Sequence, residues 1–73
     1  MKYTEKHLKP GVLVQNDYWI YIVLKTEEDI VQVFSYYLDS NDEGSYREYT
    51  ISNFLGFMNA PKSTLTPPPT VIL

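Results

Sequence analysis

The residues that could do catalytic chemistry are few in this 73-residue sequence, and they stand apart from one another. A nucleophilic mechanism needs a serine, threonine or cysteine beside a base, but the chain has no cysteine and one histidine, His7. The acidic runs 27–29 and 42–43 could supply a paired acid and base. Each run lies in an apparent hairpin connection, where solvated carboxylates are ordinary. The sequence therefore predicts a protein that is not an enzyme.

A metal or cofactor site has equally little support in the sequence. Residues 39–44 carry Asp, Asn, Glu and Gly in the order that opens an EF-hand calcium loop. The bidentate glutamate that such a loop needs at its twelfth position falls on Thr50, and strands are expected on both sides instead of helices. A zinc site built from thiolates and imidazoles lacks its ligands. We expect no metal and no cofactor, and we interpret residues 39–44 as a hairpin loop.

Aromatic side chains are the distinctive chemical feature, with seven tyrosines, three phenylalanines and one tryptophan. Tyr and Trp are enriched at protein-recognition surfaces. Successive residues of a strand point to opposite faces, so Trp19 and Tyr21 share one face and Ile20 and Ile22 the other. Because a small sheet cannot bury both faces fully, we predict an exposed surface that binds a protein partner. Its predicted residues are Trp19, Tyr21, Tyr37 and Tyr46. Cross-strand packing of the same rings is the alternative interpretation.

The elements that must position these side chains are predicted from local composition. Residues rich in β-branched and aromatic types form three long segments, 18–24, 30–38 and 46–51. A shorter strand, 12–14, follows a Pro-Gly turn, and polar connections of hairpin length predict antiparallel pairing. Residues 52–56 are predicted as one helical turn and 57–58 as a last short strand. We interpret the charged residues 1–9 as a solvated lead-in.

The composition changes at Pro61, where a proline-rich and threonine-rich segment begins. Such a segment buries little surface and favours an extended conformation. We predict a domain over 1–60 and a Pro-rich flexible tail over 61–73, through which a homo-oligomer could form by strand addition. Four to five antiparallel strands with a one-turn helix before the last strand are typical of an all-β, small SH3-like barrel. A twisted open sheet is the main alternative.

Three stretches of sequence carry a resemblance to a known class of small barrels. They are Lys9-Pro10-Gly11-Val12-Leu13-Val14, Tyr21-Ile22-Val23-Leu24 and Tyr49-Thr50-Ile51-Ser52-Asn53-Phe54-Leu55. Their order resembles small SH3-like barrels of the KOW and Tudor type over about residues 9–58. The resemblance implies a nucleic-acid-associated module as an alternative function, in which Trp19 and the tyrosines stack on bases and Lys25 and Arg47 contact phosphates. The formal net charge of −3 disfavours nucleic acid as a partner.

The cellular setting is predicted from what the sequence lacks. Its longest apolar run, 18–24, has seven residues, against roughly 20 for a membrane-spanning helix. No apolar signal-peptide core follows the charged first residues. The small size, the absence of cysteine and the dense aromatics also resemble small accessory proteins of bacteria and phages. We therefore predict a non-catalytic interaction or regulatory module in the cytoplasm of a bacterial cell or phage-infected host, away from membranes.

Overall fold

Five antiparallel strands and one α-helix make up the fold, for which the computed structural model describes residues 3–38 and 43–68. In chain order the elements are a 3₁₀ helix (Glu5–His7), β1 (Leu13–Gln15), β2 (Trp19–Glu27), β3 (Ile30–Tyr37), β4 (Ser45–Thr50), α1 (Ile51–Met58) and β5 (Thr64–Thr66). The strands form one sheet in the order β4-β3-β2-β1-β5. The prediction of a small, mostly β domain with four to five antiparallel strands is confirmed. Within the described ranges, no helix is long and apolar enough to cross a membrane.

The β2–β3 hairpin forms the centre of the sheet, and its turn is shorter than the predicted polar connection. Pairing runs from Trp19 opposite Tyr37 to Glu27 opposite Ile30. Only two residues connect the strands, and the first of them, Glu28, has a φ of +52°. A positive φ is what a two-residue hairpin turn requires. The charged residues after the apolar run therefore continue β2 as an exposed strand end.

The core lies between α1 and one face of the sheet. Buried apolar side chains of the strands, the helix and the segment before β1 form one cluster: Leu8, Val12, Val14, Tyr21, Val23, Val31, Val33, Ile51, Phe54 and Met58. The members from β2 and β3 alternate along each strand, as one face of a pleated sheet requires. Val31, Val33 and Phe54 have no exposed surface at all. We call this the helix-side face of the sheet.

Helix α1 has eight residues, about two turns, where the sequence predicted one turn and then a strand at 57–58. The Thr50 side chain caps it by accepting a hydrogen bond from the Asn53 backbone N–H at 3.2 Å. Ile51, Phe54 and Met58 recur at helical spacing and are all buried. Gly56, interpreted from sequence as the end of the turn, lies on the exposed side of the helix. Burial of the last apolar residue outweighs the low helix propensity of this glycine.

The N-terminal segment is a solvated lead-in only in part, because Glu5, Lys6 and Lys9 are exposed whereas Tyr3 and Leu8 are packed against the core. The Tyr3 backbone N–H donates to Asn59 Oδ1 at 2.6 Å, and Asn59 Nδ2 donates to the Tyr3 carbonyl at 3.0 Å. Leu8 is 6% exposed and belongs to the core. The hydrogen bonds of Tyr3 to Asn59 and the burial of Leu8 hold the segment against the end of α1.

Strand β5 forms inside the segment that the sequence predicted as a tail. Leu65 lies opposite Val14 of β1 and packs against the core. The Ser63 hydroxyl donates to the Phe57 carbonyl at 2.9 Å, which ties the connection to α1. Strand β5 thus lies beyond the boundary predicted at Ala60 and pairs with the edge that β1 presents. The prediction for residues 69–73 lies outside the described residues.

Candidate functional site

A cavity of about 190 Å³ opens on the helix-side face, between the sheet and α1. Aromatic residues from three strands and the helix line it: Trp19, Tyr21, Tyr37, Tyr49 and Phe57. The lining also includes Tyr36, although strand alternation places its ring on the other face, beside Phe34. Ser35, Ser45 and Arg47 complete the lining. We call this the aromatic cavity. Its combination of rings, hydroxyls and one cation suits a ligand that has both an apolar and a polar part.

The strand register explains why a recess forms at this position. Ser35 of β3 lies opposite Ser45 of β4, and both side chains are short. On one side of this pair, Trp19 lies opposite Tyr37. On the other side, Arg47 follows two residues along β4, on the same face. The two serine side chains therefore rise less far above the sheet than the larger side chains around them, and they form the floor of the aromatic cavity.

The rings beneath the cavity contact one another closely. Tyr21 is stacked on Phe57 at 5.5 Å between ring centroids and lies edge-on to Trp19 at 6.0 Å. Tyr49 lies edge-on to Phe57 at 5.2 Å. Such pairs contribute about 0.5–1.5 kcal/mol each beyond area burial. The cavity wall is thus part of the core, and binding there requires little additional ordering of side chains.

The hydroxyl of Tyr21 is held in its neutral form. Tyr21 is 8% exposed, and burial raises the pKa of its phenol far above the usual value. The hydrogen bond between the Tyr21 and Tyr49 side chains also raises this pKa, whereas the charge of Arg47 lowers it. The phenol therefore stays protonated throughout the physiological pH range and maintains its contact with Tyr49.

This shift predicts a loss of stability in alkali. The unfolded chain releases the Tyr21 proton near pH 10, whereas the folded protein keeps it. The contribution of this proton to the free energy of unfolding should therefore be fully present below about pH 10 and decrease above it, by up to about 1.4 kcal/mol per pH unit. Urea unfolding between about pH 8 and pH 11 measures this. The free energy of unfolding of Tyr21→Phe should fall less steeply with rising pH than that of the wild type. Equal slopes for the two proteins would contradict the contribution expected from Tyr21.

Three of the four side chains predicted from sequence as the partner surface line the aromatic cavity: Trp19, Tyr21 and Tyr37. Their exposure differs, because Tyr37 is 55% exposed whereas Tyr21 is buried and supports the site from beneath. Tyr46 lies on the opposite face of the sheet, opposite Phe34, and is 77% exposed. The structure therefore does not bring Tyr46 together with the other three.

Six residues of the cavity were not predicted as partner-binding residues from sequence: Ser35, Tyr36, Ser45, Arg47, Tyr49 and Phe57. Tyr49 shares its face with Arg47 because strand residues two apart point the same way. Phe57 was assigned to a strand, and only a helix that continues to Met58 places it beside Tyr21. The helical spacing of residues 51, 54 and 58 is the sequence signal that could have found it.

The two basic residues predicted for phosphate contacts lie on opposite faces. Arg47 lines the aromatic cavity. Lys25 lies opposite Gln32, which in turn lies opposite Glu48, so Lys25 belongs to the other face. Its ammonium group pairs with Glu27 at 3.4 Å. A phosphate backbone is held by several cations on one surface, and these two residues do not form one.

Neither a metal-ligand cluster among the described residues nor similarity to a known protein indicates a function. Across residues 3–38 and 43–68, no group of three or more His, Asp or Glu side chains could hold a metal ion. The calcium-loop pattern at 39–44 lies mostly outside these ranges. No protein-family model, curated protein or solved structure matches this chain significantly. What the chain binds must therefore be inferred from the chemistry of the aromatic cavity.

Proposed function

We propose that this protein is a non-catalytic protein-interaction module that binds its partner through the aromatic cavity. The observation that carries the proposal is a recess of about 190 Å³ whose lining combines Trp19, Tyr37 and Arg47. Trp, Tyr and Arg are the residue types that dominate the binding energy of protein interfaces. A recess backed by ordered rings is the kind of pocket that receives an anchor side chain from a partner.

We also propose that the sheet is a small SH3-like barrel, as the resemblance to KOW and Tudor-type domains implies. The strand order supports this, since β5 returns to pair with β1 and α1 lies immediately before β5. A register shift between Val23 and Lys25 supports it further, because such bulges let a long strand bend. The setting that we propose is the cytoplasm of a bacterium or phage-infected host, on the size and cysteine-free composition of the chain.

A variant that fills the aromatic cavity tests the binding proposal. Ser45 is exposed and forms part of the cavity floor, so Ser45→Trp should block the recess while preserving the strand, which tolerates aromatic residues. We expect affinity capture from lysate of the source cell to recover at least about tenfold less partner than with wild type. A tenfold weaker affinity corresponds to a loss of about 1.4 kcal/mol of binding free energy.

The matched control places the same side chain on the other face of β4. Glu48→Trp introduces a tryptophan three residues along the strand, where it points away from the cavity. This variant should capture the partner as well as the wild type, and circular dichroism should show that both variants retain the fold. Equal recovery of the partner by Ser45→Trp and the wild type would contradict the proposal.

A further inference from the structure

We infer that the partner contributes an extended segment that pairs with the outer edge of β4, with an acidic residue two positions from a bulky apolar residue. This inference rests on the proposed function and specifies its ligand. It follows from the position of the cavity at a sheet edge, the charge of Arg47 and the serine floor.

The aromatic cavity lies along an edge strand. β4 is the terminal strand of the sheet and, in the part of the chain that the structure describes, pairs only with β3. Edge strands present backbone N–H and C=O groups to which an extended peptide can add. Ser45, Arg47 and Tyr49, the alternate residues of β4 on the helix-side face, all line the cavity. Alternate side chains of an added strand would therefore stand at the cavity mouth.

The charge of Arg47 specifies what lies opposite it. Ion pairs within the described ranges join Lys25 to Glu27 and Lys62 to Asp17, and neither involves Arg47. Opposite charges placed directly across two strands stabilise their pairing, and arginine bonds carboxylates with particular strength. The partner residue opposite Arg47 is therefore an aspartate or glutamate.

A second copy of β4 that pairs about the middle of the strand fits this edge poorly. When two identical strands pair antiparallel about a two-fold axis, each residue stays on the same face of the extended sheet. Because directly opposed residues also share a face, the residue at the axis must lie opposite its own copy in the second chain. Pairing centred on the middle of β4 would then oppose Arg47 to Arg47 or Glu48 to Glu48. Like charges directly across strands are destabilising. The edge therefore favours a different chain that carries the complementary charge.

The serine floor fixes the spacing of the motif. Ser45 lies two residues from Arg47 on the same face, and the short side chains of Ser45 and Ser35 leave room above them. A partner residue opposite Ser45 can place a bulky apolar side chain in that space, against Trp19 and Tyr37. The recognised pattern is a bulky apolar residue, any residue and an acidic residue, in either chain direction.

Selection from a random, phage-displayed peptide library against the full-length protein tests the inference. We expect enrichment of peptides with the apolar-any-acidic spacing. Arg47→Glu should weaken binding of a selected peptide at least about tenfold, equivalent to about 1.4 kcal/mol, and should shift selection towards lysine or arginine at the acidic position. Lys25→Glu makes the same charge change on the opposite face and should leave affinity unchanged.

The outcomes separate this inference from the proposed function. Selected peptides that fail to bind Ser45→Trp, yet bind Arg47→Glu as well as wild type and show no acidic preference, would overturn the inference alone. Failure to enrich any peptide, or binding that Ser45→Trp does not reduce, would overturn both. Slowed hydrogen exchange of the 45–50 amides on peptide addition is expected from strand pairing, and unchanged exchange would overturn the strand-addition mode.

Discussion

Ending the chain after Ala60 should lower the free energy of unfolding by about 3 kcal/mol, a large share of the roughly 5 kcal/mol typical of small domains. The deletion removes β5 and therefore its pairing with three residues of β1. It also removes the packing of Leu65 on the core and the hydrogen bond from Ser63 to Phe57. Each net hydrogen bond contributes about 0.5–1.5 kcal/mol, and partial burial of a leucine about 1 kcal/mol.

Urea unfolding followed by circular dichroism measures this loss, with Thr66→Ala as the control. Thr66 is an exposed residue of the same strand, so its replacement should change stability by less than about 0.5 kcal/mol. Light scattering on the truncated chain also tests self-assembly through residues 61–73. Because β5 pairs within its own chain, we expect reduced stability with an unchanged number of subunits. An unfolding midpoint equal to that of the full-length protein would contradict the role assigned to β5.

Replacing Tyr37 by alanine should weaken partner binding by at least about 30-fold, which corresponds to about 2 kcal/mol at an interface hot spot. Tyr37 lies opposite Trp19 and presents an exposed ring at the aromatic cavity. Truncation removes one wall of the recess that receives the anchor side chain. Calorimetric titration with the captured partner, or with a selected peptide, measures the loss.

Tyr46→Ala is the matched control for Tyr37→Ala, because both positions carry exposed tyrosines on long strands. The ring of Tyr46 contacts Phe34 at 5.1 Å on the opposite face. Its removal should therefore change affinity by less than about threefold, or roughly 0.6 kcal/mol. Equal losses of affinity in Tyr37→Ala and Tyr46→Ala would contradict the assignment of partner binding to the helix-side face.

The strands could be predicted from sequence because their residue types repeat locally. Runs of β-branched and aromatic residues mark β2 and β3, and alternation correctly separates Trp19 and Tyr21 from Ile20 and Ile22. The elements that were missed depend on contacts between distant residues. Leu8 reaches the core from a charged segment, and Leu65 finds the open edge of β1. No local pattern reports those contacts, which is why β5 could not be predicted within residues 61–73.

The composition of the site could be predicted only in part, because the register of β4 is not readable from its own sequence. A slip of one residue would exchange Tyr46 and Arg47 between the two faces. The path into β4 is constrained by Gly44, whose φ is +84°, at a point where any Cβ would overlap the Phe34 ring. Gly44 therefore lies against the Phe34 ring of the neighbouring strand, and the residues of β4 alone do not reveal this long-range contact.

Site-specific photo-cross-linking tests most directly whether the helix-side face binds a protein. Benzoylphenylalanine is placed at position 37 or at position 46 of the full-length chain, and each protein is irradiated in lysate of the source cell. We expect one protein to cross-link from position 37, to be displaced by excess unlabelled wild type, and not to cross-link from position 46. Cross-linking to protein from position 46 alone, or only to nucleic acid from position 37, would contradict the proposal.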